Sequence, residues 1–267
     1  SKYMETVWWL LKQIYNKDLL YKGYTIQPYS PKAGTGLSSH EVNQPGSYRD
    51  VTDTTVVAQF KTKAETLPSF LQGFGDVHIL AWTTTPWTLV SNTAVAVNPK
   101  VEYQVIEVTI DEKVERLVVA TELASVLGDD YKVIENFIGK DLEHTKYTRP
   151  FDFVEINDAH FVVLADYVTV EDGTGLVHQS PAFGADDLAV CRSYGLPVVN
   201  PVAADGHFLA DVPVVGGLFF KDADKPLVKE LKASGALYKH QQYEHTYPHC
   251  WRCHTALMYY AQPSWYI

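Results

Sequence analysis

Cysteine is scarce in this sequence, with three residues, at positions 191, 250 and 253. A small, odd number argues against a disulfide framework and for a reducing compartment, so a cytoplasmic location is expected. No apolar run approaches the roughly 18–20 residues that a membrane-crossing helix needs. The opening segment SKYMETVWWLLKQIYNKDLL has a short apolar patch but lacks the small-residue cleavage site of a secretory signal. There is neither an internal repeat nor a low-complexity tract. Positive charge is also in deficit: 22 Lys and Arg face 32 Asp and Glu, a formal net charge of −10. That excludes nucleic-acid binding driven by the overall field, while a local basic strip or attachment to a larger binder remains compatible.

The 267 residues are 46% hydrophobic, enough for one large domain or one domain with appendages. Met4, Val7, Trp8, Leu11, Ile14 and Tyr15 recur at helical spacing, predicting an amphipathic helix over residues 3 to about 19, with Gly23 as a stop. YTIQPYSPKAGTGLSSHEV reads as a strand running into a loop. From about Thr54 to Val170 the pattern is mostly strands, interrupted by a short helix at TELASVLGDD. GADDLAVCRSYG and DADKPLVKELKASG read as helices that end at glycine. The last 25 or so residues look like an extended return path. The expected fold is α+β, with a β-barrel-like domain (46–245) flanked by helices and two connecting arms (1–45 and 246–267). A helix beginning at residue 3 with two exposed-looking tryptophans suggests a piece of a larger protein.

Two stretches carry chemistry. The first is WTTTPWTLVSN, residues 82–92. DVHILAW before it alternates as a strand does, and Pro86 removes a backbone donor, so the ladder stops there. Thr83, Thr84 and Thr85 then sit where a strand breaks into a turn. Threonine is a good strand residue, and that alone explains most Thr-Thr-Thr runs. The alternative is a rim of hydroxyls facing a cleft, able to hold a ligand or orient a water. The second stretch is DGTGLVHQSPAFGADD, residues 172–187. Its turn, short strand, turn and helix start deliver His178 and Asp187 to consecutive elements that share a cleft. Taken singly, each has an ordinary explanation: an acid is favoured in the first helical turn, and most histidines at strand ends are structural.

Together with LLYKGYTIQPYSPKAGTGLSSHEV and YPHCWRCHTALMYYAQPSWYI, these motifs resemble, in order and spacing, the editing domain (the connective-peptide insertion) of isoleucyl-tRNA synthetases. The resemblance covers nearly the whole chain. The aminoacylation signatures of the HIGH and KMSKS type are absent from these 267 residues, so it implies editing without synthesis. One methylene separates isoleucine from valine. This family is itself the standard illustration that such a difference is worth only about 1–3 kcal/mol, so a second, hydrolytic sieve is needed. The resemblance implies hydrolysis of valyl-tRNA(Ile), and of valyl-adenylate as a second substrate. The partners would be the valylated 3′ end of tRNA and the rest of the parent synthetase, with no membrane and an isolated chain that is monomeric.

The resemblance assigns Asp187 to the substrate α-ammonium, where a charge-assisted hydrogen bond is about twice as strong as a neutral one. It gives Thr84 and Thr85 to catalysis, and Thr83, Asn92, Trp82 and Phe183 to the substrate pocket. His178 lies beside the side-chain cavity, where its bulk rejects the extra methylene. Relatives usually carry tyrosine where this chain has Leu188. No cofactor is implied for editing, and positioning is expected to dominate the chemistry. Cys250 and Cys253 are half of a zinc site by spacing. In many relatives a Cys-x-x-Cys on the outgoing arm completes it, at positions held here by Ser30 and Ala33. His249, His254 or His40 would have to substitute; the plainer expectation is two buried thiols without zinc, with Cys191 in the core. Two other functions stay open: a passive tRNA-docking module, and a deacylase for another mischarged tRNA.

Overall fold

The computed structural model describes residues 1–267 apart from Asp111 and Asp129. Helix α1 (Lys2–Tyr15) follows the predicted period but ends at Tyr15, earlier than expected, and none of its residues is buried. Strand β1 (Tyr21–Ser30) pairs with the two-residue β2 (Thr35–Gly36). The short helix α2 (Ser39–Val42) starts from a capping box, in which Ser38 Oγ accepts from Glu41 N and the Glu41 carboxylate accepts from Ser38 N.

A large sheet follows. It contains β3 (Tyr48–Thr62), β4 (His78–Thr83), β6 (Glu102–Ile110), β7 (Lys113–Ala120), β8 (Lys132–Ile138) and β12 (Leu237–Pro248), in the order β12-β3-β4-β7-β6-β8. The two-residue β9 (Tyr147–Thr148) pairs at the end of β3. A second sheet is small and buried: β5 (Ala94–Val97) lies between β10 (Phe161–Leu164), parallel to it, and β11 (Leu176–Gln179), antiparallel. All four residues of β5 are buried, which suits its uninterrupted Ala-Val-Ala-Val run. Helices α3 (Ala185–Ser193) and α4 (Asp224–Ser234) follow the two glycine-terminated patterns, and Gly235 closes α4 in the left-handed conformation. The predicted helix at TELASVLGDD is a 3₁₀ segment, Thr121–Leu127, and its tail at Asp129 lies outside the described residues.

The α+β character matches the sequence reading, and the strands are shared among three sheets. Strand β13 (Met258–Tyr266) pairs with β1 from Tyr21↔Tyr266 to Tyr29↔Met258, so the incoming and outgoing segments form one ladder. The long β12 runs alongside β3 from Leu237↔Ala58 to Pro248↔Tyr48 and ties that ladder to the main sheet. The main core fills one face of the large sheet, with Val56, Ala58 and Phe60 of β3 and Ile79 and Ala81 of β4 meeting Trp87, Phe183 and Phe220. The opposite face has its own apolar layer around Val57, Leu80, Ile106 and Leu117. Alternate residues of β3 and β4 serve the two faces, as the period of two requires.

Candidate active site

Strand β4 pairs with β3 as far as Val56↔Thr83, and there the ladder ends. Pro86 then opens a buried 3₁₀ turn, Pro86–Ser91, which the sequence reading did not foresee. Where strand gives way to turn, hydroxyls replace the lost ladder bonds. Thr83 Oγ1 accepts from Thr85 N at 3.1 Å and lies 3.2 Å from Thr85 Oγ1. Thr85 Oγ1 is 3.2 Å from Thr88 Oγ1, which donates to the Thr85 carbonyl at 2.8 Å and meets His178 Nε2 at 2.8 Å. The threonine rim and the histidine of the second motif are thus one hydrogen-bonded chain.

A hydroxyl has one proton. With that of Thr88 on the Thr85 carbonyl, Thr88 accepts from His178 in the Nε2–H tautomer. His178 is buried, and desolvation lowers its pKa to about 4, so the ring is neutral. Its Nδ1 is buried and has no hydrogen-bond partner among the described residues.

A cleft of about 360 Å³ opens beside this chain, within the range that small ligands occupy. Trp82, Thr83 and Thr84 form one wall; Tyr167 to Thr169 and Asp172 to Val177 form the others. Gly173 has a φ of +77°, and a Cβ there would lie 3.0 Å from the Trp82 ring, so only glycine lets this turn pack on the tryptophan. Trp82 also makes a T-shaped contact with Tyr243 on its other side, at 5.9 Å.

Asp187 stands in the first turn of α3, where its carboxylate folds back so that Oδ2 accepts from Ser180 N at 2.7 Å. Gly184, the residue before the helix, makes this possible: a Cβ there would fall 2.6–2.9 Å from the carboxylate atoms. Desolvation raises the Asp187 pKa from 3.8 to about 6, against the lowering effect of the backbone hydrogen bonds. Its charge also helps hold the Tyr167 hydroxyl protonated, after burial. Asp187 is not itself among the residues that line the cleft; it is tied to the wall through Ser180, whose neighbour Gln179 accepts from Tyr167 Oη at 2.8 Å. Asp186, beside it, is exposed.

Two of the sequence-selected residues lie in the interior. Asn92 is fully buried; its Oδ1 accepts from Tyr147 Oη at 2.7 Å, and its Nδ2 donates to the Ala94 carbonyl at 2.9 Å. Phe183 packs edge-on against Trp87 at 4.7 Å in the main core. Neither lines the cleft, and both support the elements that do. His178 and Thr85 also stand behind the cleft wall and connect to it through hydroxyls.

Sequence reasoning missed Thr88, Tyr167, Ser180 and Asp224. Thr88 had a signal: it lies three residues after Thr85 across a proline, the spacing that closes a 3₁₀ turn. Asp224 is buried at the start of α4, and its Oδ1 accepts from Trp87 N at 3.0 Å, pinning the turn that carries Thr88. Burial raises its pKa to about 7, against the pull of Lys221. Tyr167 donates to Gln179 Oε1 at 2.8 Å. No local pattern marks Tyr167 or Ser180. Among the described residues, no group of three or more His, Cys, Asp or Glu side chains is arranged to hold a metal ion. None of the described helices is long and apolar enough to cross a membrane.

Comparison with known proteins places this architecture. The chain is 55% identical to the isoleucine–tRNA ligase of Streptomyces coelicolor over 269 residues, covering 100% of this chain and 24% of that protein. It is 56% identical to the isoleucine–tRNA ligase of Thermobifida fusca, with the same coverage. The chain thus spans about a quarter of the length of these relatives. Among solved structures, it resembles one described as "The crystal structure of GlLeuRS-CP1", with a TM-score of 0.52 and 16% identity, covering 70% of this chain and 98% of that one. The editing domain of P. knowlesi cytosolic leucyl-tRNA synthetase matches with a TM-score of 0.51 and 10% identity, over 72% and 97% of the two chains. At those identities the likeness shows the fold. The family model for tRNA synthetases class I (I, L, M and V) matches residues 1–267, and the chain belongs to that family.

Proposed function

We propose that this chain is the editing domain of an isoleucine–tRNA ligase and hydrolyses the aminoacyl ester of valyl-tRNA(Ile). The observation that carries the reading is the continuous Thr83–Thr85–Thr88–His178 hydrogen-bonded chain beside a cleft, with a desolvated carboxylate at Asp187 close by. The identity to isoleucine–tRNA ligases supplies the amino acid.

In this reading Asp187 receives the α-ammonium of the bound valine. One of its oxygens already takes Ser180 N–H, and a carboxylate retains acceptor capacity for the incoming cation. Thr83 and Thr84 face the cleft, where the Thr84 hydroxyl orients a water toward the ester carbonyl, and Thr85 acts from behind the wall by holding Thr83 through its hydroxyl. Water adds to the carbonyl carbon, the bond to the ribose oxygen breaks, and that oxygen leaves with a proton. The products are free valine and a tRNA with its terminal hydroxyls restored. Trp82 bounds the terminal nucleoside, while Asn92 and Phe183 hold the threonine turn from behind. His178, neutral and held by Thr88, stands behind the cleft wall and backs the side-chain cavity rigidly. Selection between two aliphatic side chains rests on shape, because neither offers a polar group. Valyl-adenylate is a second substrate of the same site.

The experiment is a panel of charged tRNAs (valyl, isoleucyl, threonyl and alanyl) incubated with the chain, with release of the amino acid followed over time. Selective release of valine from tRNA(Ile) is expected. Binding without release would favour a docking module, and preferential release of threonine or alanine would favour a deacylase of other specificity.

A further inference from the structure

The two cysteines of HCWRC are not among the residues that line the cleft. They sit in the turn between β12 and β13, where His254 N donates to the Cys250 carbonyl and Cys250 N to the Thr255 carbonyl, both at 2.8 Å. The turn brings both cysteines to the same small apolar cluster, against which Cys253 packs beside Cys250. Cys250 is buried against Leu37, Val42 and Leu257, and Cys253 is partly exposed.

The surroundings do not fit a zinc ion. Structural zinc takes four ligands. Opposite the two sulfurs stand the Ser30 hydroxyl, 3.3 Å from Cys253 Sγ, and Ala33, whose backbone N–H donates to Ser30 Oγ. Among the described residues, no further His, Cys, Asp or Glu side chain joins the two sulfurs in a group of three or more that could hold a metal ion. His40 is exposed on α2.

We propose that Cys250 and Cys253 are a thiol-modification site that closes reversibly to a disulfide on reaction with low-molecular-weight disulfides. Cys253 is the attacking sulfur because it is the accessible one. Its Sγ is 3.3 Å from Ser30 Oγ and 3.5 Å from Thr255 Oγ1. Burial opposes its ionisation, but these hydroxyls, the Thr255 amide and the Cys250 thiol overcome that and favour the thiolate. The Cys253 thiolate attacks one sulfur of the small disulfide, forming a mixed disulfide and expelling one thiolate. Cys250 then loses its proton, attacks Cys253 Sγ and expels the second. Two electrons pass from the cysteine pair to the small disulfide, and its two thiolates take up the protons. Closure requires the two Cβ atoms to lie about 3.5–4.5 Å apart. Cys191 provides an internal control, since it is fully buried in a separate apolar cluster.

The test treats the 267-residue chain with glutathione buffers of graded ratio, followed by acid quench, alkylation and peptide mass analysis. The expected result is loss of two hydrogens from the peptide holding Cys250 and Cys253, with Cys191 still alkylated. Cys250→Ser should stop at a mixed disulfide on Cys253, and Cys253→Ser should leave residue 250 unreacted. Because Cys250→Ser alters a buried site, the unaltered chain is also titrated with phenylarsine oxide, which should bridge the pair stoichiometrically. Persistence of the mixed disulfide in the unaltered chain would overturn the proposal, as would oxidation of Cys191 at the same rate. Stoichiometric zinc released on thiol modification of the purified chain would also overturn it, by showing a metal site instead.

Discussion

Replacing Asp187 by asparagine should move stability and activity in opposite directions. The carboxyl has a pKa raised from 3.8 to about 6 by desolvation, a shift that already includes the hydrogen bond from Ser180 N. A raised folded-state pKa means that the ionised form is disfavoured in the native structure. The wild-type protein therefore loses stability as pH rises from about 4 to about 6, and above that the loss is complete. At about 1.4 kcal/mol per pKa unit, the cost is on the order of 3 kcal/mol at neutral pH. Asparagine keeps an acceptor for Ser180 N without the charge. Asp187→Asn should therefore raise the melting temperature at pH 7.5 by several degrees, at roughly 2–4 °C per kcal/mol for a chain of this size. The gain should fade below pH 4. Deacylation should show the reverse. Losing a charged hydrogen bond to the ammonium costs about 1.5–3 kcal/mol, or roughly 10- to 150-fold in kcat/KM for valyl-tRNA(Ile). The wild-type pH–rate profile should rise with a midpoint near 6, and the variant should lack that rise. Calorimetric melts at several pH values and a deacylation profile measure both effects. If Asp187→Asn is destabilised at neutral pH, or still shows the ascending limb, then Asp187 is neither the desolvated acid nor the ammonium anchor.

Three further outcomes follow from the same geometry. Gly184→Ala puts a Cβ within 2.6–2.9 Å of the Asp187 carboxylate, so it should reduce deacylation nearly as much as altering Asp187 while leaving the far-UV circular dichroism unchanged. His178→Ala should enlarge the side-chain cavity and permit hydrolysis of isoleucyl-tRNA(Ile). Thr88→Val, which removes the hydroxyl that fixes the imidazole, should shift the isoleucyl-to-valyl rate ratio the same way but less; a His178→Ala variant that loses valyl activity and still spares isoleucyl-tRNA would contradict the steric reading. Asp224→Ala leaves the buried Trp87 N–H without its acceptor and should cost about 1–3 kcal/mol in urea denaturation, whereas Asp224→Asn, which retains Oδ1, should be at least as stable as wild type above pH 7.

The local content of this protein was legible in its sequence because local rules govern it. Alternation marked β4, Pro86 marked the end of its ladder, and Gly235 marked the stop of α4. The threonine run and the His178 and Asp187 motif were recognisable because few ordinary packing needs call for those residue types in that order. Spacing alone could not say which side chains face a ligand. Asn92 and Phe183 carry the same kind of motif signal as Thr84, yet they are spent on Tyr147 and Trp87 in the interior. That division is set by tertiary packing: Asn92 follows a 3₁₀ turn that is buried throughout, and the Trp87 N–H of that turn is held by Asp224, 137 residues away in sequence. The link from Thr88 to His178 spans 90 residues and exists only because β11 and the strand–turn junction after β4 are brought side by side. The raised pKa of Asp187 is likewise a property of its surroundings, since desolvation has no signature in the sequence of α3. Composition and periodicity determined the elements and the chemistry available to them; packing at long range decided which groups meet, which are buried, and which carboxylate is forced out of its ordinary range.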